Sequence, residues 1–171
     1  MKLDIVIFDV DGVLNTGQFL YNENGKQYKI FGPDDNDALK ILRKFVPVLF
    51  VTGDDRGWPI TLKRINDMGF DLIYASTFER LELISKQYNL KNVCYMGDGF
   101  LDSIVFKEVG YSIMPANGFR FSEFYVDYVT HHIGGMRAVA EACFHIIEKH
   151  FGKSFTELDL KELMKCEQNY M

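Results

Sequence analysis

Short apolar runs alternate with longer amphipathic stretches along most of the chain. Residues 3–8 (Leu-Asp-Ile-Val-Ile-Phe) are β-branched and mostly apolar, which predicts a buried strand stopping at Asp9-Val10-Asp11-Gly12. Runs of the same kind at 48–51, 72–74, 93–96, 111–114 and 126–130 predict further strands. Pro33 and Asp34-Asp35 open a helix whose apolar side carries Ala38, Leu39, Ile41, Leu42 and Phe45, and Pro47 ends it. Pro59 suits the first turn of a helix near 58–67, which Met68-Gly69 closes. Helices are also expected near 78–88, 100–108 and 135–149, with a last one over 155–167 capped by Ser154 and Glu157. One segment breaks the alternation. Two strand-like stretches within 18–31 flank Asn22-Glu23-Asn24-Gly25, and Asn-Gly is a strong tight-turn signal, so a β-hairpin is inserted at about 17–32.

Alternating strands and helices argue an α/β fold, a doubly wound, mostly parallel sheet with helices on both faces. A length of 171 residues fits one domain, 1–171, with a helical tail over 153–171 as the detachable part. The 47% hydrophobic content can supply a core, and a net charge of −5 argues against a general nucleic-acid binder. No apolar run is long enough for a membrane span, and the start of the chain is too short in apolar residues for a signal peptide. Cys94, Cys143 and Cys166 are widely spaced and form no metal-binding pattern, which fits reduced thiols in the cytoplasm.

In sheets of this type ligands bind beyond the carboxyl ends of the strands. The first strand ends there in Asp9 and Asp11, the second in Thr52-Gly53, and a later one in Gly97-Asp98. Gathering bare carboxylates at one sheet edge is costly unless a cation neutralises them, and an oxygen-only donor set favours magnesium over zinc. The plain alternative is a set of solvated loop aspartates.

These motifs resemble those of the haloacid dehalogenase superfamily: Asp9-Val-Asp-Gly-Val13 as motif I, Val51-Thr52-Gly53 as motif II, and Gly97-Asp98 with Asp102 as motif IV. The hairpin directly after motif I, and Asp127-Tyr-Val-Thr130 followed by Gly134-Gly135, are similar to the small-cap phosphatases of 3-deoxy-ulosonate phosphates. That group includes the phosphatases of octulosonate 8-phosphate and nonulosonate 9-phosphates. The resemblance spans residues 3 to about 150 and implies a Rossmann-like fold and a magnesium-dependent phosphatase. Asp9 would then attack phosphorus, and Asp11 would protonate the leaving sugar oxygen and afterwards activate water. Asp9, Asp98 and the Asp11 carbonyl would hold Mg²⁺, while Thr52 and the Gly53 amide would take a phosphoryl oxygen. Asp102 would either orient a metal-bound water or cap its helix.

Motif III of the family is a lysine at the start of the helix after the third strand. Counting forward from that strand gives Arg80, with Lys86 as the weaker alternative and an ordinary exposed helix arginine as the plain reading of Arg80. Asp54 stands where the octulosonate enzymes tend to have arginine. An acid there would repel a substrate carboxylate and is suited to bonding a hydroxyl, so the preferred sugar need not be the octulosonate. The run Asp34-Asp35-Asn36-Asp37 reads as helix capping. His131-His132 reads as a loop, not a metal pair, and His145 and His150 as surface or packing residues. Trp58, Phe119 and Phe121 read as core or interface, and Arg120 is available to an anionic substrate.

In the resembling group such hairpins join subunits of a homotetramer, which is the expectation here. Two other readings compete with a sugar-phosphate phosphatase: the same chemistry on another small phosphomonoester, and a non-catalytic accessory module. A receiver domain is disfavoured because its phosphorylated aspartate follows the third strand.

Overall fold

The computed structural model describes residues 2–154 and 156. The expected helix over 155–167, most of the tail and Cys166 lie outside the described residues. The strands are β1 (Ile5–Asp9), β2 (Asn15–Asn22), β3 (Gly25–Phe31), β4 (Val48–Thr52), β5 (Asp71–Tyr74), β6 (Val93–Met96), β7 (Tyr111–Met114) and β8 (Tyr128–Val129). The helices are α1 (Asp35–Leu42), α2 (Trp58–Met68), α3 (Thr77–Gln87), α4 (Ser103–Phe106) and α5 (Ala138–Phe151). Six strands form one sheet in the order β5-β4-β1-β6-β7-β8, and every pairing in it is parallel. The hairpin β2-β3 is a separate two-stranded antiparallel sheet.

The alternation of a doubly covered strand is visible in β1. Val6 and Phe8 join Leu39, Leu42, Ile65, Met68, Cys143 and Ile146, from α1, α2 and α5, on one face. Ile5 and Ile7 join Ile84, Val105 and Phe106, from α3 and α4, on the other. Each such side chain, fully withdrawn from water, contributes roughly 1.5–3 kcal/mol, which makes the central strand the most firmly held part of the fold. Because the strands run parallel, the carboxyl ends of β1, β4 and β6 lie at one edge.

Some boundaries differ from the sequence reading for identifiable reasons. The hairpin begins at Asn15, since the turn after β1 leads straight into it. Glu23-Asn24 fill its tip, and Gly25, at φ +106°, takes the left-handed position beyond them. The 100–108 helix divides into a 3-10 turn (Phe100–Asp102) and α4. Helix α5 starts only at Ala138 because Gly134-Gly135 belong to a loop against the turn after β1, where a Cβ on Gly134 would lie 1.8 Å from the Gly12 carbonyl oxygen.

The acidic run also behaves differently from simple capping of its own helix. Asp34 makes no side-chain cap and instead pairs with Arg137. Asp35 is buried and accepts the Ala140 amide at 2.8 Å, so it caps the first turn of α5, the helix packed against α1. Burial pushes its pKa up to about 6. The buried Cys94 and Cys143 are free thiols.

Candidate active site

The site begins with a tight turn. Residues 10–14 wind once and close with the Asn15 amide on the Val10 carbonyl, while Asp11 and Gly12 depart from helical angles. Gly12 sits at φ +85°, and a Cβ there would fall 2.0 Å from an Asp98 carboxylate oxygen, so both conformation and space demand glycine. Asn15, fully buried, holds the turn together. Its Oδ1 accepts the Gly12 and Gly17 amides at 3.1 and 2.7 Å, and its Nδ2 donates to Asp11 Oδ1 at 2.8 Å. Sequence reading passed over Asn15, whose task is set by the turn geometry.

On one side of the turn Asp9, Asp98 and Asp102 place carboxylate oxygens within 4.8 Å of one another. Arg80 reaches them from α3. Its guanidinium lies 3.4 Å from Asp9 and donates to Asp102 Oδ1 at 2.9 Å and to the Tyr95 hydroxyl at 2.6 Å. Tyr95 in turn donates to Asp102 at 2.7 Å. Arg80 is buried because α3 turns the same face to the sheet that carries Ile84, one helical turn on. Lys86 points to solvent and pairs with Glu82, outside the cluster. The second oxygen of Asp102 accepts the Asp98 and Gly99 amides at 3.1 and 2.9 Å. Asp102 therefore caps the turn after β6 and anchors Arg80 at the same time. Asp9, Arg80, Asp98 and Asp102 border a cleft of about 180 Å³ that Thr77 and Phe100 also line. Tyr95 is the second residue the sequence reading missed; its only signal was a hydroxyl-bearing side chain in an otherwise oxygen-free strand.

The electrostatics are those of an under-neutralised acidic pocket. Burial first, and the Asp102 and Asp98 charges after it, outweigh Arg80 and push the Asp9 pKa up to about 8. Burial and neighbouring Asp102 and Asp11 push that of Asp98 up to about 7. For Arg80 burial disfavours the charge, but Asp9, Tyr95 and Asp102 more than offset it and hold the guanidinium protonated. Asp102 is satisfied by four donors, whereas Asp9 and Asp98 bring carboxylate oxygens within 4.8 Å of one another. That donor set, two carboxylates short of a counter-charge and no nitrogen or sulfur, fits a hard divalent cation.

On the other side of the turn the hairpin enters. Lys29, with its side chain fully buried, lies 2.7 and 3.0 Å from the two oxygens of Asp11, 2.8 Å from Asp54 and 2.7 Å from the Thr61 hydroxyl. Asp54 also pairs with Lys26 and accepts the Gly57 amide. Although burial works against it, the two lysines hold the Asp54 carboxyl below the usual range. Asp54 is thus not a bare acid, and its repulsion of an anion is offset by two ammonium groups. Thr52, buried at the end of β4, donates to Asp11 at 3.2 Å and accepts the Asp54 amide. Gly53 follows it, at the surface. Lys29 is the third missed residue. Its signal was an inverted pattern: Tyr28 and Ile30 face solvent while the lysine between them is buried.

The remaining candidates lie elsewhere. His131 and His132 sit in a bend, and both rings and both amides converge on the Glu141 carboxylate, whose pKa is about 2 because these bonds outweigh its partial burial. They serve the loop before α5, as expected. His145 stacks on Tyr128 with ring centroids 3.7 Å apart and meets the Tyr111 hydroxyl, a packing role. A larger cleft of about 500 Å³ beside His132, Arg137 and Phe144 contains none of the strand-end carboxylates. Trp58 is half-buried against Tyr74. Phe119 and Phe121 are exposed, so the core reading fails for them, and Arg120 is exposed between them.

No family model matches the chain. Comparison with known proteins is decisive nonetheless. The chain is 32% identical over 159 residues to the 3-deoxy-D-manno-octulosonate 8-phosphate phosphatase KdsC of Haemophilus influenzae, covering 90% of this chain and 87% of that protein. It belongs to the haloacid dehalogenase superfamily, as a KdsC-like protein. Solved KdsC-type structures share its fold. The cobalt-bound deoxy-D-mannose-octulosonate 8-phosphate phosphatase of Haemophilus influenzae superposes with a TM-score of 0.81 at 28% identity, covering 96% of this chain and 97% of that one. The Moraxella catarrhalis 3-deoxy-D-manno-octulosonate 8-phosphate phosphatase, in complex with magnesium, phosphate and KDO, gives 0.76 at 28% identity, covering 85% of this chain and 86% of that one.

Proposed function

We propose that this KdsC-like chain is a magnesium-dependent phosphomonoesterase acting on a 3-deoxy-ulosonate phosphate. The observation that carries the reading is the pairing of buried Asp9 with half-buried Asp98 beside Arg80, at the strand edge of a fold whose relatives are KdsC phosphatases. Asp9, Asp98 and the Asp11 carbonyl would hold Mg²⁺, which when bound supplies positive charge to the carboxylates and to a phosphoryl oxygen.

The chain's own residues supply the rest. Asp9, at the tip of β1, attacks phosphorus and becomes an aspartyl-phosphate as the sugar oxygen leaves. Asp11 gives its proton to that oxygen, then takes one from the water that hydrolyses the intermediate. Arg80 neutralises charge beside Asp9, a task its fixed fork performs without giving up its proton. Thr52 and the Gly53 amide bind a phosphoryl oxygen. Asp102 and Tyr95 act through Arg80 by fixing its position. Asp54, held against the hairpin by Lys26 and Lys29, is suited to a sugar hydroxyl.

The finer reading is a cytoplasmic homotetramer joined through the hairpins. It is supported by Phe19, Leu20, Tyr21, Tyr28 and Ile30, all exposed on an element too thin to have a core of its own. Among the described residues no helix is long and apolar enough to cross a membrane. Asp54 stands in the place of an arginine, but its pairing with Lys26 and Lys29 offsets its repulsion of a substrate carboxylate, so the octulosonate stays in the substrate panel beside the other sugars.

The test is inorganic phosphate release from octulosonate 8-phosphate, nonulosonate 9-phosphates and other sugar phosphates, each with magnesium, with chelator and with Asp9→Asn. Magnesium-dependent release on one ulosonate phosphate, absent in Asp9→Asn, is the expected result. Release confined to a phosphate of another class would replace the substrate, and none on any compound would favour an accessory module.

A further inference from the structure

We propose that Lys29, carried by the hairpin, is a positioning residue for Asp11, fixing its carboxyl group for proton transfer to the leaving group. The inference rests on the phosphatase reading above and goes beyond it by giving the hairpin a part in the chemical step.

Three observations carry it. Lys29 is fully buried, and its three N–H groups have three acceptors in Asp11, Asp54 and Thr61. No donor is left over for a substrate, so the residue acts through its neighbours. Second, among the described residues it alone of the Asp11 partners spans both carboxylate oxygens, at 2.7 and 3.0 Å. Asn15 reaches only Oδ1 and Thr52 only Oδ2. In the proposed reaction Thr52 turns to a phosphoryl oxygen, after which Lys29 and Asn15 are the contacts that set the plane of the Asp11 carboxyl. Third, the strand register is inverted. Side chains alternate across a strand, so β3 must bury either Lys29 or its neighbours Tyr28 and Ile30. It buries the ammonium and exposes the two apolar residues. An anchor for the hairpin would cost less with Tyr28 and Ile30 turned inward, because a buried charge is expensive unless it is paired. The register makes sense if the cation is wanted at Asp11.

The step at stake is the first. As the Asp9 oxygen bonds to phosphorus and the phosphorus–oxygen bond to the sugar breaks, the Asp11 proton moves to the departing oxygen. In the second step water attacks phosphorus, its proton returns to Asp11, and Asp9 and inorganic phosphate are released. A primary sugar alcohol needs that first proton; 4-nitrophenolate leaves without it. The ratio of kcat/KM for the two leaving groups therefore reports Asp11 positioning, which a loss of phosphate affinity would not change, and Lys26→Met shows what loosening the Asp54 contact does to it.

The experiment compares kcat/KM on octulosonate 8-phosphate and on 4-nitrophenyl phosphate, with magnesium. The proteins are the wild type, Lys29→Met, Lys29→Gln, Lys26→Met, Asp11→Asn and Asp9→Asn, with folding checked by circular dichroism. Lys29→Met is expected to lose about 10²-fold on the sugar phosphate, in the range of a general-acid contribution, and less than about fivefold on 4-nitrophenyl phosphate. Asp11→Asn should show the same skew more strongly. Lys26→Met, which removes the outer ion pair to Asp54 and the cation–π contact with Phe19 but leaves Lys29 on Asp11, should keep the wild-type ratio. Lys29→Gln carries the test if the methionine variant does not fold. Equal losses on both compounds, or no loss on either, would overturn the positioning role. Absence of Asp9-dependent turnover of every phosphomonoester in the panel above by the wild type would overturn the phosphatase reading, and this inference with it.

Discussion

Asp9 and Asp11 stand two positions apart on one turn, and the fold treats them in opposite ways. Asp9 faces α3 and the loop after β6, among Arg80, Asp98 and Asp102, where burial and like charges leave its carboxylate short of compensation. Asp11 faces the hairpin, where Lys29, Asn15 and Thr52 supply donors to both of its oxygens. Identical side chains are thereby prepared for different work. A carboxylate short of counter-charge attracts a cation and stays close to the reacting phosphorus, while one held by fixed donors keeps a defined direction for proton transfer. Environment, more than residue type, assigns the roles.

The harshest test of this contrast is to remove each acid. Asp9→Asn should abolish phosphate release from every substrate, a loss of at least about 10³-fold, because the nucleophile has no substitute. Asp11→Asn should retain a measurable burst of 4-nitrophenolate while losing turnover of sugar phosphates. Rapid-mixing kinetics distinguishes the two, and loss of the burst in both variants would erase the difference in role.

The next largest effect separates the two cations considered at motif III. Arg80→Ala strips a buried charge partner from Asp102 and leaves the Tyr95 hydroxyl without its donor, which should cost about 3–5 kcal/mol in stability as well as activity. Lys86→Ala removes an exposed pair and should change unfolding free energy by under about 0.5 kcal/mol. Urea unfolding with magnesium present measures both.

A pH series sharpens the comparison without mutation. Asp9 and Asp98 titrate near 8 and 7 in the metal-free fold, well above an ordinary carboxylate. Groups with raised folded values favour the fold while protonated, so the metal-free protein should lose stability as pH rises from about 4 towards 8. Magnesium binds the ionised pair, so its affinity should climb over pH 6 to 8, by up to about tenfold per pH unit for each proton displaced. Thermal unfolding in chelator and in magnesium should diverge as pH rises; parallel curves would show that the acids near Arg80 do not bind the ion.

The smallest expected change lies on the Asp11 side. Thr61→Val removes one of the three acceptors of Lys29 while leaving Asp11 and Asp54 in place. It should cost about 1–2 kcal/mol in stability, with turnover reduced less than threefold on the order-of-magnitude view of a single unsatisfied buried donor. A large loss of turnover would mean that the lysine is held chiefly by α2.

Much of the first side was legible in the sequence. Asp9 and Asp98 stand at or just beyond the end of an apolar strand-like run, and parallel topology carries such positions to a common edge. Arg80 followed from its count after β5, since a helix that starts just beyond a strand's carboxyl end keeps its first turns at that edge. The hairpin side was far less legible. Its existence showed in the Asn-Gly signal, but Lys29 reads in sequence as one more solvent-facing lysine between apolar residues. Only contact with Asp11, Asp54 and Thr61, residues up to 32 positions distant, reveals which face of β3 is turned inward. Asp35 teaches the same lesson, since an acid that reads as the cap of its own helix caps α5 from 105 positions away.

The amino-acid sequence by itself determined the periodicities that make the doubly wound sheet, the strand ends that carry acids, and the glycines without which the turn after β1 could not close against Asp98. Those are local properties, set by backbone sterics and by which residues leave water. Tertiary structure alone decided the register of the hairpin, the sharing of Asp102 between Arg80 and the turn after β6, and the different neighbours of Asp9 and Asp11. Those depend on charges brought together from distant parts of the chain, where burial weakens the screening that makes their sequence neighbourhood uninformative.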